Sequence, residues 1–166
     1  MRPRVILVGA PGSGKTTVGR RLAERLGVGF RDVDADVEQA ARKPIRDIFV
    51  DDGEQAFREL ERAAVAVAVN THDGVLALGG GAVLDASTRQ LLGGHEVVFL
   101  DVGLSDAATR IGMNRDRPLL LVNPRAELKR MIDQRRPLYV AVAKWTVDTT
   151  GRGPDDVVEA VLAVVR

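Results

Sequence analysis

The stretch Val5-Ile6-Leu7-Val8-Gly9-Ala10-Pro11-Gly12-Ser13-Gly14-Lys15-Thr16 decides the fold. Its first four residues are apolar and mostly β-branched, which predicts a short buried strand. Gly9 to Thr16 then match G-x-x-x-x-G-K-[ST] at every fixed position. After the loop, Val18, Leu22 and Leu26 recur at i+4 and Gly27 supplies a stop, so Thr16–Leu26 reads as a helix. Strand, glycine loop and helix in that order make a phosphate cradle. Glycines let the backbone approach an anion closely, and the successive N–H groups and the helix N-terminus face it. Lys15 brings a positive charge to β- and γ-phosphates, and the Thr16 hydroxyl suits Mg²⁺. A plain glycine-rich turn is the alternative; every fixed position in the right context argues against it.

Outward from this stretch, strands and helices alternate. Val28–Val33 can hold a second strand. Pro44 reads as a first-turn proline opening a short helix through Phe49. Phe57, Leu60, Ala64 and Val67 give Glu54–Val69 a helical period. Val75–Leu78 is a strand stopped by Gly79-Gly80-Gly81. Asp85 can cap a helix through Leu92, Val97–Leu100 is a strand, and Ser105 can cap the next helix. Asn123-Pro124 opens a helix to about Arg136. Trp145–Val147 reads as a last strand, and Gly153-Pro154 opens a final helix through Val164. This alternation predicts a parallel sheet covered on both faces.

Composition narrows the function. The 166 residues make about one domain, carry 24 Lys+Arg against 23 Asp+Glu, and contain no cysteine. Disulfides, thiolate nucleophiles and Cys-based metal sites are therefore excluded. The near balance of charge and 4% aromatic content argue against a nucleic-acid surface. The apolar start is too short for a secretory signal, and no apolar run approaches a membrane span, so a cytoplasmic protein without membrane partner is expected.

Four further features bear on chemistry. Asp32-Val33-Asp34 falls where the second strand should end, and residues i and i+2 of an extended segment share a face. Arg58 and Glu61 are i, i+3 neighbours, which fits either an ordinary ion pair or a guanidinium fork aimed at an anion. Gly79-Gly80-Gly81 is costly in conformational entropy and is explained by close ligand approach or by a tight turn. Residues 110–136 hold eight Arg and Lys against three acidic residues, a local +5 in a chain of net +1. Within them 113–118 reads as a loop able to close over a triphosphate. His72 and His95 read as structural or solvent-facing, and Tyr139 and Trp145 as packing residues.

Together, Gly9–Thr16, Asp32-Val33-Asp34, Phe57–Glu61, Gly79–Gly81, Arg117-Pro118-Leu119-Leu120 and Arg135–Tyr139 resemble the motif series of shikimate kinases, in order and spacing across nearly the whole chain, most closely in actinobacterial members. The resemblance implies a three-layer α/β/α P-loop kinase fold: a single domain over 1–166 with a five-stranded parallel sheet, a substrate-binding region at 33–61 and a lid at about 111–124. It implies transfer of the ATP γ-phosphoryl group to the 3-hydroxyl of shikimate. It assigns Lys15, Asp34 and Arg117 to catalysis. To ATP it assigns Gly12, Ser13, Gly14, Lys15, Thr16, Thr17, Arg110, Arg117, Arg152 and Pro154. To shikimate it assigns Asp34, Arg58, Gly79, Gly80, Gly81 and Arg135, with the R-x-P-L-Y motif selecting Arg135 over Arg136. Mg²⁺ falls to Thr16 and, through water, Asp32. ATP and shikimate are the expected partners of a monomer. A kinase acting on gluconate or a nucleoside monophosphate, a partner-driving P-loop ATPase, and nucleic-acid binding through 110–136 are the competing readings.

Overall fold

The structure is a computed structural model and describes residues 2–112 and 123–165. Strand β1 (Val5–Val8) lies at the centre of a five-stranded sheet. The others are β2 (Phe30–Asp32), β3 (Val75–Ala77), β4 (Val97–Asp101) and β5 (Trp145–Asp148), in the order β2-β3-β1-β4-β5. Every pairing is parallel; Val5, Ile6 and Leu7 sit opposite Val75, Leu76 and Ala77, and Ile6, Leu7 and Val8 opposite Val97, Val98 and Phe99. Parallel strands need covering helices on both faces, and the period-2 alternation supplies two cores. Val5, Leu7, Val98 and Leu100 point to one face, against Val18 and Leu22 of α1 (Lys15–Leu26) and Val157, Val158 and Val161 of α8 (Pro154–Val164). Ile6, Val8, Leu76 and Phe99 point to the other. There they meet α2 (Val33–Ala41), α4 (Glu54–Thr71), α5 (Ala86–Leu92), α6 (Leu104–Arg110) and α7 (Pro124–Val142); α3 (Ile45–Asp51) adds Ile48 to the same core.

Most boundaries fall within a residue or two of the sequence reading, and four differences have physical causes. Helix α2 was not anticipated. It begins inside the acidic motif because the Asp32 carboxylate accepts from the Asp34 N–H and caps it, while Val33 and Val37, one turn apart, enter the core. Asp32 and Asp34 therefore do not share the face of an extended strand. Pro44 is the N-cap of α3 rather than a residue of its first turn. Ser105 does not cap α6; Gly103 does, and the Ser105 hydroxyl accepts from Arg125 instead. Helix α7 does not stop near Arg136 but runs through Pro137 to Val142. Pro137 is exposed, and Leu138, Tyr139 and Val142 beyond it pack against the core and hold the helix together. This keeps Arg135 and Tyr139 one turn apart on one helix.

Ligands of open α/β sheets bind outside the carboxyl ends of the strands. The segments leaving those ends here are the glycine loop after β1, the Asp32–Asp34 turn after β2, Gly79–Gly81 beyond β3 and the Thr149–Gly153 turn after β5.

Candidate active site

A crevice of about 580 Å³ opens at that edge. Its walls include Gly12, Ser13, Gly14, Lys15, Thr16 and Thr17 of the phosphate loop and α1, with Asp32, Asp34 and Gly80 at one end and Arg110, Arg152 and Pro154 at the other. Gly12 and Gly14 have φ of 82° and 91°, in the left-handed region where a side chain is strained. Gly14 caps α1, whose first turn has no acidic residue, so the positive end of the helix faces the crevice without competition. The Lys15 ammonium donates to Gly9 O at 2.7 Å and Ala10 O at 3.1 Å. Burial lowers its pKa from 10.5 to about 8, against the opposing pull of Asp34 and Asp32. The Thr16 hydroxyl lies 3.3 Å from one Asp32 oxygen, and the other caps α2.

Asp34 sits in the first turn of α2, where burial first, then the neighbouring Asp32 and Glu61 carboxylates, push its pKa up from 3.8 to about 6. Near neutral pH it remains mostly a carboxylate, yet close enough to titration to exchange a proton. Arg58 donates from Nη1 to Glu61 Oε1 at 2.7 Å, and its Nε is buried without a hydrogen-bond partner among the described residues. Glu61 is 3% exposed, and burial raises its pKa in spite of Arg58. Glu61 is not among the site residues expected from the sequence. Its signal was position: it stands four residues after Phe57 and four before Val65, on the apolar stripe of α4, where a carboxylate needs a partner.

The three glycines after β3 each meet a different neighbour. A Cβ on Gly79 would fall 2.6 Å from Asp34 Oδ1 and 3.0 Å from Glu61 Oε2. On Gly80 it would fall 2.9 Å from Cδ of Pro11 in the phosphate loop, and on Gly81 2.4 Å from Arg58 Nη1. None of the three has a positive φ. Close packing, and not an unusual backbone angle, is what a side chain would disturb at all three.

Arg58, Gly79, Gly81 and Arg135 are not among the described residues that line the crevice; Gly79 packs beside Asp34, and Gly81 beside Arg58. Arg135 is near enough to act electrostatically on Lys15, Glu61 and Tyr139, whereas Arg136 points away and pairs with Asp101 at 2.7 Å. At the other end Arg110 donates to Gly12 O at 3.2 Å and to the carbonyl and hydroxyl of buried Thr149, joining the phosphate loop to the turn that carries Arg152 and Pro154. Arg117, and residues 113–122 of the expected lid, lie outside the described residues.

One phosphate loop, with an acid and two arginines converging beside it, is built for moving a phosphoryl group onto a small anionic acceptor. The shikimate kinase family profile matches residues 11–166. The chain belongs to the shikimate kinase family. A shikimate kinase of Salinispora tropica is 60% identical over 165 residues, spanning 99% of both chains. One of Frankia casuarinae is 58% identical, over 97% of this chain and 72% of that protein. Among solved structures, a shikimate kinase from Acinetobacter baumannii in complex with shikimate matches with a TM-score of 0.91 and 35% identity, over 99% of this chain and 93% of that one. The α/β sandwich with an all-parallel five-stranded sheet is the P-loop kinase fold of these relatives.

Proposed function

We propose that the crevice transfers the γ-phosphoryl group of ATP to the 3-hydroxyl of shikimate, giving shikimate 3-phosphate and ADP, with the labour divided among these residues as follows. The observation that carries the reading is the contact of the Gly79–Gly81 loop with the phosphate loop on one side and with Asp34 and Arg58 on the other. Gly12–Thr17 cradle the triphosphate, with Lys15 on the β- and γ-phosphate oxygens. Arg110, Arg152 and Pro154 flank the base. Arg58, held by Glu61, and Arg135 supply guanidinium forks for the acceptor carboxylate. Asp34 accepts the hydrogen bond of the attacking hydroxyl. As the new oxygen–phosphorus bond forms and the bond to the β,γ-bridging oxygen breaks, the hydroxyl proton passes to Asp34 and the electron pair leaves with ADP. Catalysis is mostly positioning and charge neutralisation, since a loose phosphoryl transition state asks for little covalent chemistry.

The Thr16 hydroxyl and Asp32 carboxylate are hard oxygen donors of the kind Mg²⁺ takes. Among the described residues no group of three His, Cys, Asp or Glu side chains offers a complete cage, which fits a cation held partly by substrate phosphates and water. When bound there, Mg²⁺ neutralises charge on the β- and γ-phosphate oxygens. We further propose a monomer acting in the cytoplasm without nucleic-acid or membrane partners. No helix of the described residues is long and apolar enough to cross a membrane.

The test is shikimate-dependent ADP release with ATP and Mg²⁺, repeated with gluconate and with nucleoside monophosphates. Turnover with shikimate, its loss on chelation of the metal, and its loss in Asp34→Asn are expected. Turnover with the other acceptors and none with shikimate overturns the reading.

A further inference from the structure

Tyr139, the one tyrosine of the chain, does more than fill space. It is 1% exposed, its ring stacks on Phe99 of β4 with centroids 5.0 Å apart, and its hydroxyl donates to Gly80 O at 2.5 Å. A packing role asks for the ring alone; phenylalanine would supply it without the cost of burying a hydroxyl. Here the hydroxyl reaches the middle residue of the acceptor loop, the one packed on Pro11 of the phosphate loop. The Arg135 guanidinium, one turn earlier on α7, is near enough to act electrostatically on the same phenol. Burial raises the phenol pKa above its usual value, so the group stays protonated and a donor throughout the working range.

The hydroxyl thus ties α7 to the acceptor loop, which itself packs on the phosphate loop, while the second arginine stands one turn away on the same helix. We propose that Tyr139 is a positioning residue of the acceptor site, whose hydroxyl fixes Gly80 and Arg135 relative to each other. This rests on the reading above that Arg135 takes the acceptor carboxylate. Tyr139 touches neither substrate; it acts by holding the groups that do.

Tyr139→Phe keeps the ring on Phe99 and removes only the tie. Loss of one buried hydrogen bond corresponds to about a fivefold change. The expected result is a rise of about that size in KM for shikimate, with KM for ATP unchanged. Unchanged KM values for both substrates alongside a lowered Tm would mean packing alone and would overturn the proposal; so would an equal rise in both. Arg135→Ala, measured in parallel, separates the two levels. If it leaves shikimate KM at the wild-type value, the assignment of Arg135 fails. If it raises that KM while Tyr139→Phe does not, only the Tyr139 proposal fails. Should Tyr139→Phe not fold, 3-fluorotyrosine incorporation labels this one position in the otherwise natural chain. Its fluorine resonance is expected to shift on saturation with shikimate, and an unmoved resonance overturns the proposal.

Discussion

The molecule has two glycine loops one strand apart, and they need glycine for different reasons. In the first, Gly12 and Gly14 adopt left-handed backbone angles, so the requirement is written into the local chain, although at Gly12 a Cβ would also fall 2.8 Å from Ala107 O. In the second, Gly79, Gly80 and Gly81 have ordinary φ, and the requirement comes from Asp34, Pro11 and Arg58, which belong to three other segments. A local requirement leaves a motif of fixed spacing. A tertiary one leaves only a run of glycines, which a tight turn would explain as well. On the proposed division of labour the first loop serves the phosphoryl donor and the second the acceptor, so substitutions in the two should fail differently.

The largest expected effect lies in the first loop. Lys15→Ala should lower kcat by about 10³-fold, the scale of losing one charged group at the developing transition-state charge, while the acceptor still binds. A steady-state assay with a separate shikimate titration checks both halves. Next comes Gly81→Ala, whose methyl must displace the Arg58 guanidinium. Shikimate KM should rise by about 10–100-fold, in line with misplacement of a substrate-binding group, with ATP KM near the wild-type value. Equal damage to both KM values would mean that the loops are not separable.

The pH profile sharpens the contrast, because each loop neighbours one titrating group. In the proposed roles Asp34 acts as a carboxylate and Lys15 as an ammonium. The free-enzyme profile of kcat/KM should therefore fall below about pH 6 and above about pH 8. Asp34→Asn should remove the acid limb from whatever activity remains, and Lys15→Arg should move the basic limb upward.

The smallest effect is on stability. The folded-state pKa of Asp34 is raised, so its protonated form is favoured by folding; that contribution is present below about pH 4 and lost as pH rises through about 6. At pH 7.5 the ionised group works against the fold. Asp34→Asn should then stabilise by about 1–3 kcal/mol, raising Tm by roughly 2–4 °C per kcal/mol while activity is lost. A lower Tm in calorimetry would show that the Asp34 carboxylate is held by contacts that outweigh its crowding.

The same division between local and tertiary requirements explains what the sequence made legible. The strands and the phosphate loop were readable, because the apolar runs of β1, β3 and β4 with glycine close behind them, the strand–helix alternation that places β2 and β5, and the G-x-x-x-x-G-K-[ST] spacing are local signals. Helix α2 was hidden, since Val33 and Val37 give it only one apolar repeat and Asp32 is strand end and cap at once. The end of α7 was misplaced because Pro137 is a stop signal in isolation, and the packing of Leu138 and Tyr139 overrides it. Arg58 could be read as either an ion pair or a ligand group; the structure makes it an ion pair that also lies flat on Gly81. Glu61 and Tyr139 escaped notice as site residues, because their value lies in partners far along the chain that no spacing rule connects.

The glycine triplet also limits how such an enzyme can diverge. The first carbon added at any of the three positions collides with a different part of the molecule, so no single substitution there relieves itself. A lineage acquiring a new acceptor would have to alter α2, α4 or the phosphate loop first, and the order of those steps would matter.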